Sequence, residues 1–132
     1  MIEEKNIRID IKCSENLEAD INAILLERAL VNLIDNAVKY SDKNGRVLIS
    51  VTKETNCIVF TIKDWGSGIP SEHHARLFER FYRVDKGRSR ELGGTGLGLS
   101  IVKHIAFAHN GKVTVKSEPG KGSEFAVIIP SN

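Results

Sequence analysis

A chain of 132 residues, 41% hydrophobic and 27% charged, has room for one domain with a packed core. Its net charge of +2 is too small to argue for a nucleic-acid partner, and no apolar run approaches the ~20 residues that cross a bilayer. The N-terminus is charged and polar and carries no secretory signal, so the expectation is a cytoplasmic location without direct membrane contact.

In chain order, Ile7, Ile9 and Ile11 alternate with polar residues and predict a strand. A loop from Asn16 to Asp20 follows. Either Asp20 or Asn22 can cap the next helix. Asn22 is preferred, because Ile21 and Leu26 then take the two positions of a hydrophobic staple. From Ala23 to about Tyr40 the period is helical, with Leu26, Ala29, Leu30, Leu33, Ile34 and Ala37 as the buried stripe. Asn32, Asn36 and Tyr40 follow one another at i, i+4 and i+8, on a face turned away from much of that stripe. Amides are mediocre helix formers. A solvated surface row explains them, and so does oxygen ligation. An Asn carbonyl suits a hard cation such as Mg²⁺ that shares its other positions with water and phosphate oxygens. Lys39 is placed to meet a phosphate as a point charge.

Val47, Ile49 and Val51 alternate, then Ile58, Phe60 and Ile62 do the same. A turn at Glu54-Thr55-Asn56 makes them a hairpin. Asp64-Trp65-Gly66-Ser67-Gly68-Ile69-Pro70 ends the second strand. Asp64 reads either as a plain Asx turn or as a carboxylate facing a pocket and accepting from a purine amine. In the second reading Gly66 and Gly68 let a ring lie against the backbone. Ser71 is placed to cap a short helix through Phe78. The charged stretch from about Phe81 to Gly94 has no pattern of its own, and so long a connection often marks a lid.

Gly93-Gly94-Thr95-Gly96-Leu97-Gly98-Leu99-Ser100 then runs straight into a helix with Leu97, Ile101, Ile105 and Ala108 on one face, stopped at Asn110-Gly111. A helix start has unpaired N–H groups and the positive end of the macrodipole, and glycines let an anion approach. The turn reads as a phosphate cradle or as a Gly-rich entry to a helix and nothing more. Leu99-Ser100 is not the Lys-Ser/Thr pair of a P-loop, and no strand precedes the glycines as the dinucleotide fingerprint needs. Val113 and Val115, then Phe125, Val127 and Ile129, make a second hairpin around Ser117 to Ser123. Cys13 and Cys57 both sit in strand-like apolar runs, which favours core packing in a reducing compartment over a disulfide or metal pair. Together the elements predict an α/β two-layer sandwich, a mixed sheet with helices on one face.

These pieces together resemble one family. Asn32-Leu-Ile-Asp-Asn36-Ala-Val-Lys39-Tyr40-Ser is similar to the N box of sensor histidine kinases. Asp64-Trp-Gly66-Ser-Gly68-Ile69-Pro70 resembles their first glycine box, Leu77-Phe78-Glu-Arg-Phe81-Tyr82-Arg83 their F box, and Gly94-Thr95-Gly96-Leu97-Gly98-Leu99-Ser their second glycine box. Gly120-Lys-Gly122-Ser123-Glu-Phe125 is similar to their closing turn. Five blocks in order cover nearly the whole of residues 1–132. The resemblance implies the Bergerat fold of the GHKL ATPases, with an ATP lid at about 81–95, and the cofactors ATP and Mg²⁺. It implies Asn36 as direct Mg²⁺ ligand, Asn32 supporting it through water, and Lys39 and Tyr40 on the phosphate and adenine sides. Asp64, with Gly66, Gly68, Ile69 and Ser123 around it, takes the adenine. Arg83 faces the terminal phosphate, Gly94 to Leu99 cradle the phosphates, and Phe78 and Phe81 pack and steer the lid.

Hydrolytic relatives place a Glu where this chain has Asn32, and an amide is no base at neutral pH. The resemblance therefore implies transfer to a histidine, with catalytic roles for Asn32, Asn36, Lys39 and Arg83. The phosphoacceptor belongs to a dimerisation domain whose motif His73-His74-Ala-Arg does not match, and His104 and His109 lie in the second helix region. The implied partners are that domain and then a response regulator, with an inner-membrane sensor as parent and a monomeric catalytic fragment here. A nucleotide-holding regulatory module and a serine kinase of the anti-sigma-factor type are the alternatives that share the fold.

Overall fold

The structure, a computed structural model, describes residues 6–13, 21–82 and 98–131. Most of the expected lid, with Arg83, Gly94, Thr95, Gly96 and Leu97, and the loop before the first helix lie outside the described residues. The elements are β1 (Arg8–Cys13), α1 (Ala23–Tyr40), β2 (Arg46–Lys53), β3 (Cys57–Asp64), a 3-10 helix (Ser71–Arg76), α2 (Gly98–Ala108), β4 (Lys112–Glu118) and β5 (Gly122–Pro130). One sheet takes the order β1-β2-β3-β5-β4. β1 and β2 are parallel, as a connection through α1 demands, and the other pairs are antiparallel.

Register carries one apolar row through the sheet: Val115 opposite Phe125, Phe125 opposite Ile62, Ile62 opposite Ile49. Because side chains alternate along each strand, that row shares its face with Val47, Ile58, Val127 and Ile129, all buried. Leu26, Ala29, Leu33, Ala37 and Val38 of α1 and Val102, Ile105 and Ala106 of α2 complete the core. The helices run antiparallel: Asn22 before α1 meets His109 after α2, and Asn32 meets Gly98 at the start of α2. This is the expected two-layer sandwich with a mixed sheet.

Asn22 is the N-cap, and its side-chain oxygen accepts from Leu25 N at 3.1 Å. His109 Nδ1 donates to Ile105 O at 2.9 Å, which leaves Nε2 to accept from Asn22 N at 2.9 Å. One histidine thus ties the end of α2 to the start of α1. Asn22→Ala should cost about 1 kcal/mol, read as a lower denaturant midpoint at unchanged slope.

Several local expectations change. Ile21 is 39% exposed, so the cap bond, not the staple, secures α1. Ser71 does not cap; Pro70 holds that position without a side-chain bond, and the helix is 3-10 and ends at Arg76. Ala108 is exposed. Val102 and Ala106 take its place, since α2 packs against α1 and the sheet at once and buries a face shifted by one residue. The stop after α2 puts the left-handed residue at Asn110, with φ of 59°. Gly111 is needed for another reason: a Cβ there would lie 2.1 Å from Ile128 O. Cys13 is exposed at the end of an edge strand and Cys57 is half-buried, so neither packs in the core as expected.

Candidate functional site

The C-terminal half of α1 is flanked by the start of α2 at Asn32 and by the turn after β3 at Tyr40. Asn32, Asn36, Lys39 and Tyr40 are all half-buried there, neither core nor free surface. Asn32 Nδ2 reaches toward Gly98 O at 3.5 Å, so the amide row stands beside the first turn of α2. Among the described residues a Cβ at Gly98 would meet nothing within 4 Å. Leu99 turns back and packs against the core. Lys39 Nζ lies 3.1 Å from Asp35 Oδ2, one turn earlier on α1. Such an i,i+4 pair is worth only about 0.3–0.5 kcal/mol.

Asp64 ends β3 and is, among the described residues, the one buried charged residue, 4% exposed. Its Oδ1 accepts from Gly66 N at 2.9 Å, and Ser123 N also donates to the carboxylate. Burial pushes the carboxyl above its ordinary value, against the lowering effect of those two N–H groups. The Asx turn of the first reading is present, and the carboxylate that forms it is buried. Among the described residues no cation pairs with it. The two glycines beyond it have structural reasons of their own. A Cβ at Gly66 would lie 2.3 Å from Tyr40 O, and one at Gly68, where φ is 74°, would lie 1.9 Å from Glu118 O. The turn is therefore wedged between the end of α1 and the end of β4.

Ile69 packs against the core, and its N–H donates to Ser117 Oγ at 2.7 Å. Ser123 is buried directly opposite Asp64 in the sheet and pairs with the Ser117 hydroxyl at 2.8 Å. Ser117 was not among the residues singled out from the sequence. The alternation Val113, Val115, Ser117 puts it on the inward phase of β4, and a polar residue in that phase was the available signal.

Phe78 stacks edge-on against Phe125 with centroids 6.1 Å apart. Phe81 is 63% exposed in the left-handed region, φ 67°, with Arg80 over its ring. The two F-box rings thus differ in kind: Phe78 belongs to the core and Phe81 stands out from it. His73 pairs with the Tyr82 hydroxyl, whose ring also lies 4.6 Å from Arg76. His74 meets Ile69 O at 2.9 Å. His104 is exposed on α2.

A profile described as "Histidine kinase-, DNA gyrase B-, and HSP90-like ATPase" matches residues 21–132. The sensor-like histidine kinase SenX3 of Mycolicibacterium smegmatis is 50% identical over 106 residues, 80% of this chain and 28% of its own length. The chain thus spans under a third of that relative. The structure of the mycobacterial sensor histidine kinase MprB superimposes with a TM-score of 0.86 at 28% identity, over 99% of this chain and 88% of that one. Full-length ShkA in complex with AMPPNP gives a TM-score of 0.81 at 32% identity, over 98% of this chain and 27% of that one.

Proposed function

Because the chain belongs to the histidine kinase-, DNA gyrase B- and HSP90-like ATPases, we propose that it binds ATP at this site and donates the terminal phosphate to a histidine on a separate dimerisation domain. The observation that carries the reading is the buried Asp64 carboxylate. Two backbone N–H groups hold it, among the described residues no cation pairs with it, and the turn that follows it abuts Tyr40 at the end of the Asn32–Asn36–Tyr40 row. A buried carboxylate is costly unless its hydrogen bonds are filled, and an adenine amine supplies a missing donor. ShkA, similar over nearly the whole chain, holds an adenine nucleotide analogue.

In this reading Asp64 and Ser123 take the base, Tyr40 and Ile69 flank it, and Lys39 exchanges Asp35 for phosphate. Asn36 would hold Mg²⁺, which would supply charge neutralisation at the phosphates. Among the described residues no cluster of three His, Cys, Asp or Glu is available for a metal. That fits an ion held mainly by phosphate oxygens and water, with one amide from the protein. Asn32 offers no base for activating water, so transfer outweighs hydrolysis. Arg83, outside the described residues, would face the terminal phosphate, as the resemblance implies. The response regulator is the next acceptor, and the parent protein is a membrane-bound sensor with this domain on its cytoplasmic side. Among the described residues no helix is long and apolar enough to cross a membrane.

Incubated alone with labelled ATP, the domain should gain no phosphohistidine. His73, His74 and His109 are engaged in hydrogen bonds within the fold. Addition of the dimerisation domain should give acid-labile, base-stable phosphate on that partner, at a rate rising with its concentration because separate molecules lack linked proximity. Acid-stable label on the partner would indicate serine transfer, and robust self-labelling would overturn the reading.

A further inference from the structure

Three contacts converge on one hydroxyl behind the proposed base pocket. Ser117 Oγ accepts from Ile69 N at 2.7 Å, donates to Gly122 O at 2.9 Å, and faces Ser123 Oγ at 2.8 Å. A serine hydroxyl has one proton and two acceptor lone pairs. The Ser117 proton is committed to the Gly122 carbonyl, and one of its lone pairs to Ile69 N–H. What remains is a single lone pair, aimed at Ser123. Of two hydroxyls that face each other, Ser123 must then be the donor. Its proton is then used toward Ser117 on β4, and its own lone pairs remain as acceptors. Asp64 on β3 stands directly opposite Ser123 and takes the Ser123 N–H on its carboxylate.

We infer that Ser117 is a positioning residue that makes Ser123 an acceptor toward the base, so that the pocket selects a 6-amino purine over a 6-oxo purine. The inference rests on the proposed placement of the base against Asp64 and Ser123. A 6-amine has two hydrogens to give, and Asp64 and Ser123 both accept. A 6-oxo group would set one more acceptor against two. A free serine rotor would blunt this discrimination, because it could turn its proton outward and donate to the oxo group. Ser117 prevents that rotation while its bond to Ile69 N–H holds the first glycine turn at the same edge.

ADP and inosine 5′-diphosphate differ at position 6 of the purine and are the probes, measured by calorimetry on the wild-type chain, Ser117→Ala, Ser123→Ala and the double variant. The wild type should prefer ADP about ten- to a hundredfold. Ser117→Ala should narrow that preference by roughly two- to tenfold, the worth of one neutral hydrogen bond. Ser117→Thr, which keeps the hydroxyl, should restore it. In the Ser123→Ala background, loss of Ser117 should leave the ratio unchanged, since its effect on selectivity runs through the Ser123 proton. An unchanged ratio in Ser117→Ala would overturn the inference, as would an equal narrowing in the Ser123→Ala background. If Ser117→Ala does not fold, Ser123→Ala decides: it should lose more affinity for ADP than for the inosine nucleotide, and equal losses would overturn the inference. A wild type indifferent to the two probes would instead remove the base placement itself.

Discussion

Asp64→Asn should lower affinity for adenine nucleotides about ten- to a hundredfold, because a hydrogen bond to an ionised group is worth ~1.5–3 kcal/mol. The geometry explains why so conservative a change is so costly. The carboxylate already serves Gly66 N and Ser123 N, and the proposed role requires acceptor capacity left over for the base. An amide has one oxygen. If that oxygen keeps Gly66, the NH₂ group faces either another N–H or the purine amine, donor against donor. Equal binding by variant and wild type, with both folded, would sink the assignment. Stability should move in a direction that burial dictates. The folded Asp64 carboxyl titrates above its ordinary value. Its contribution is therefore fully present below the unfolded-state value and lost as pH rises through the folded one. Relative to wild type, Asp64→Asn should gain stability on going from acid to neutral pH. Denaturant midpoints of the two proteins at both pH values test this. The opposite trend would mean that the Gly66 and Ser123 N–H groups outweigh burial.

Asn36→Ala should make nucleotide affinity almost indifferent to Mg²⁺. The wild type should bind ADP more tightly with Mg²⁺ than in chelator, and the variant should bind equally in both. Loss even of a group that only orients a metal ligand costs about 10–100-fold in metal affinity, and a direct ligand should reach that range. The substitution is benign to the helix. Asn36 is half-buried on α1, outside the buried set Leu26, Ala29, Leu33, Ala37 and Val38, and Ala is the better helix former. A variant that keeps the full Mg²⁺ response would refute the role of Asn36, and the intact fold would leave no structural excuse.

Local pattern determined the limits of α1 and the pairing of neighbouring strands, but not the Ser71 cap or the Ile21 staple, which the structure does not form. The 3.6-residue period placed α1 at its observed limits and Asn22 at its cap. Period-two alternation placed both hairpins, although the second turn is shorter than the expected Ser117 to Ser123, because Ser117 and Ser123 pair within the strands. The amide row and the Asp64 turn were visible as polar residues at spacings that a core does not require. These features depend on residues within one or two turns of each other. Tertiary structure alone decided what lies opposite. Gly66 and Gly68 are forced by Tyr40 O and Glu118 O, and Gly111 by Ile128 O, backbone atoms far away in sequence. Cys13 reads as an apolar strand residue, yet it is exposed because β1 is an edge. Ala108 fits a helical stripe but is exposed, because α2 answers to α1 and the sheet together. Ser117 gains its role only when β5 pairs with both β3 and β4 and brings Ile69, Gly122 and Ser123 within reach of one hydroxyl. Periodicity records which face of an element is buried, whereas a close backbone approach or the routing of one proton depends on the partner that the strand order puts against that face.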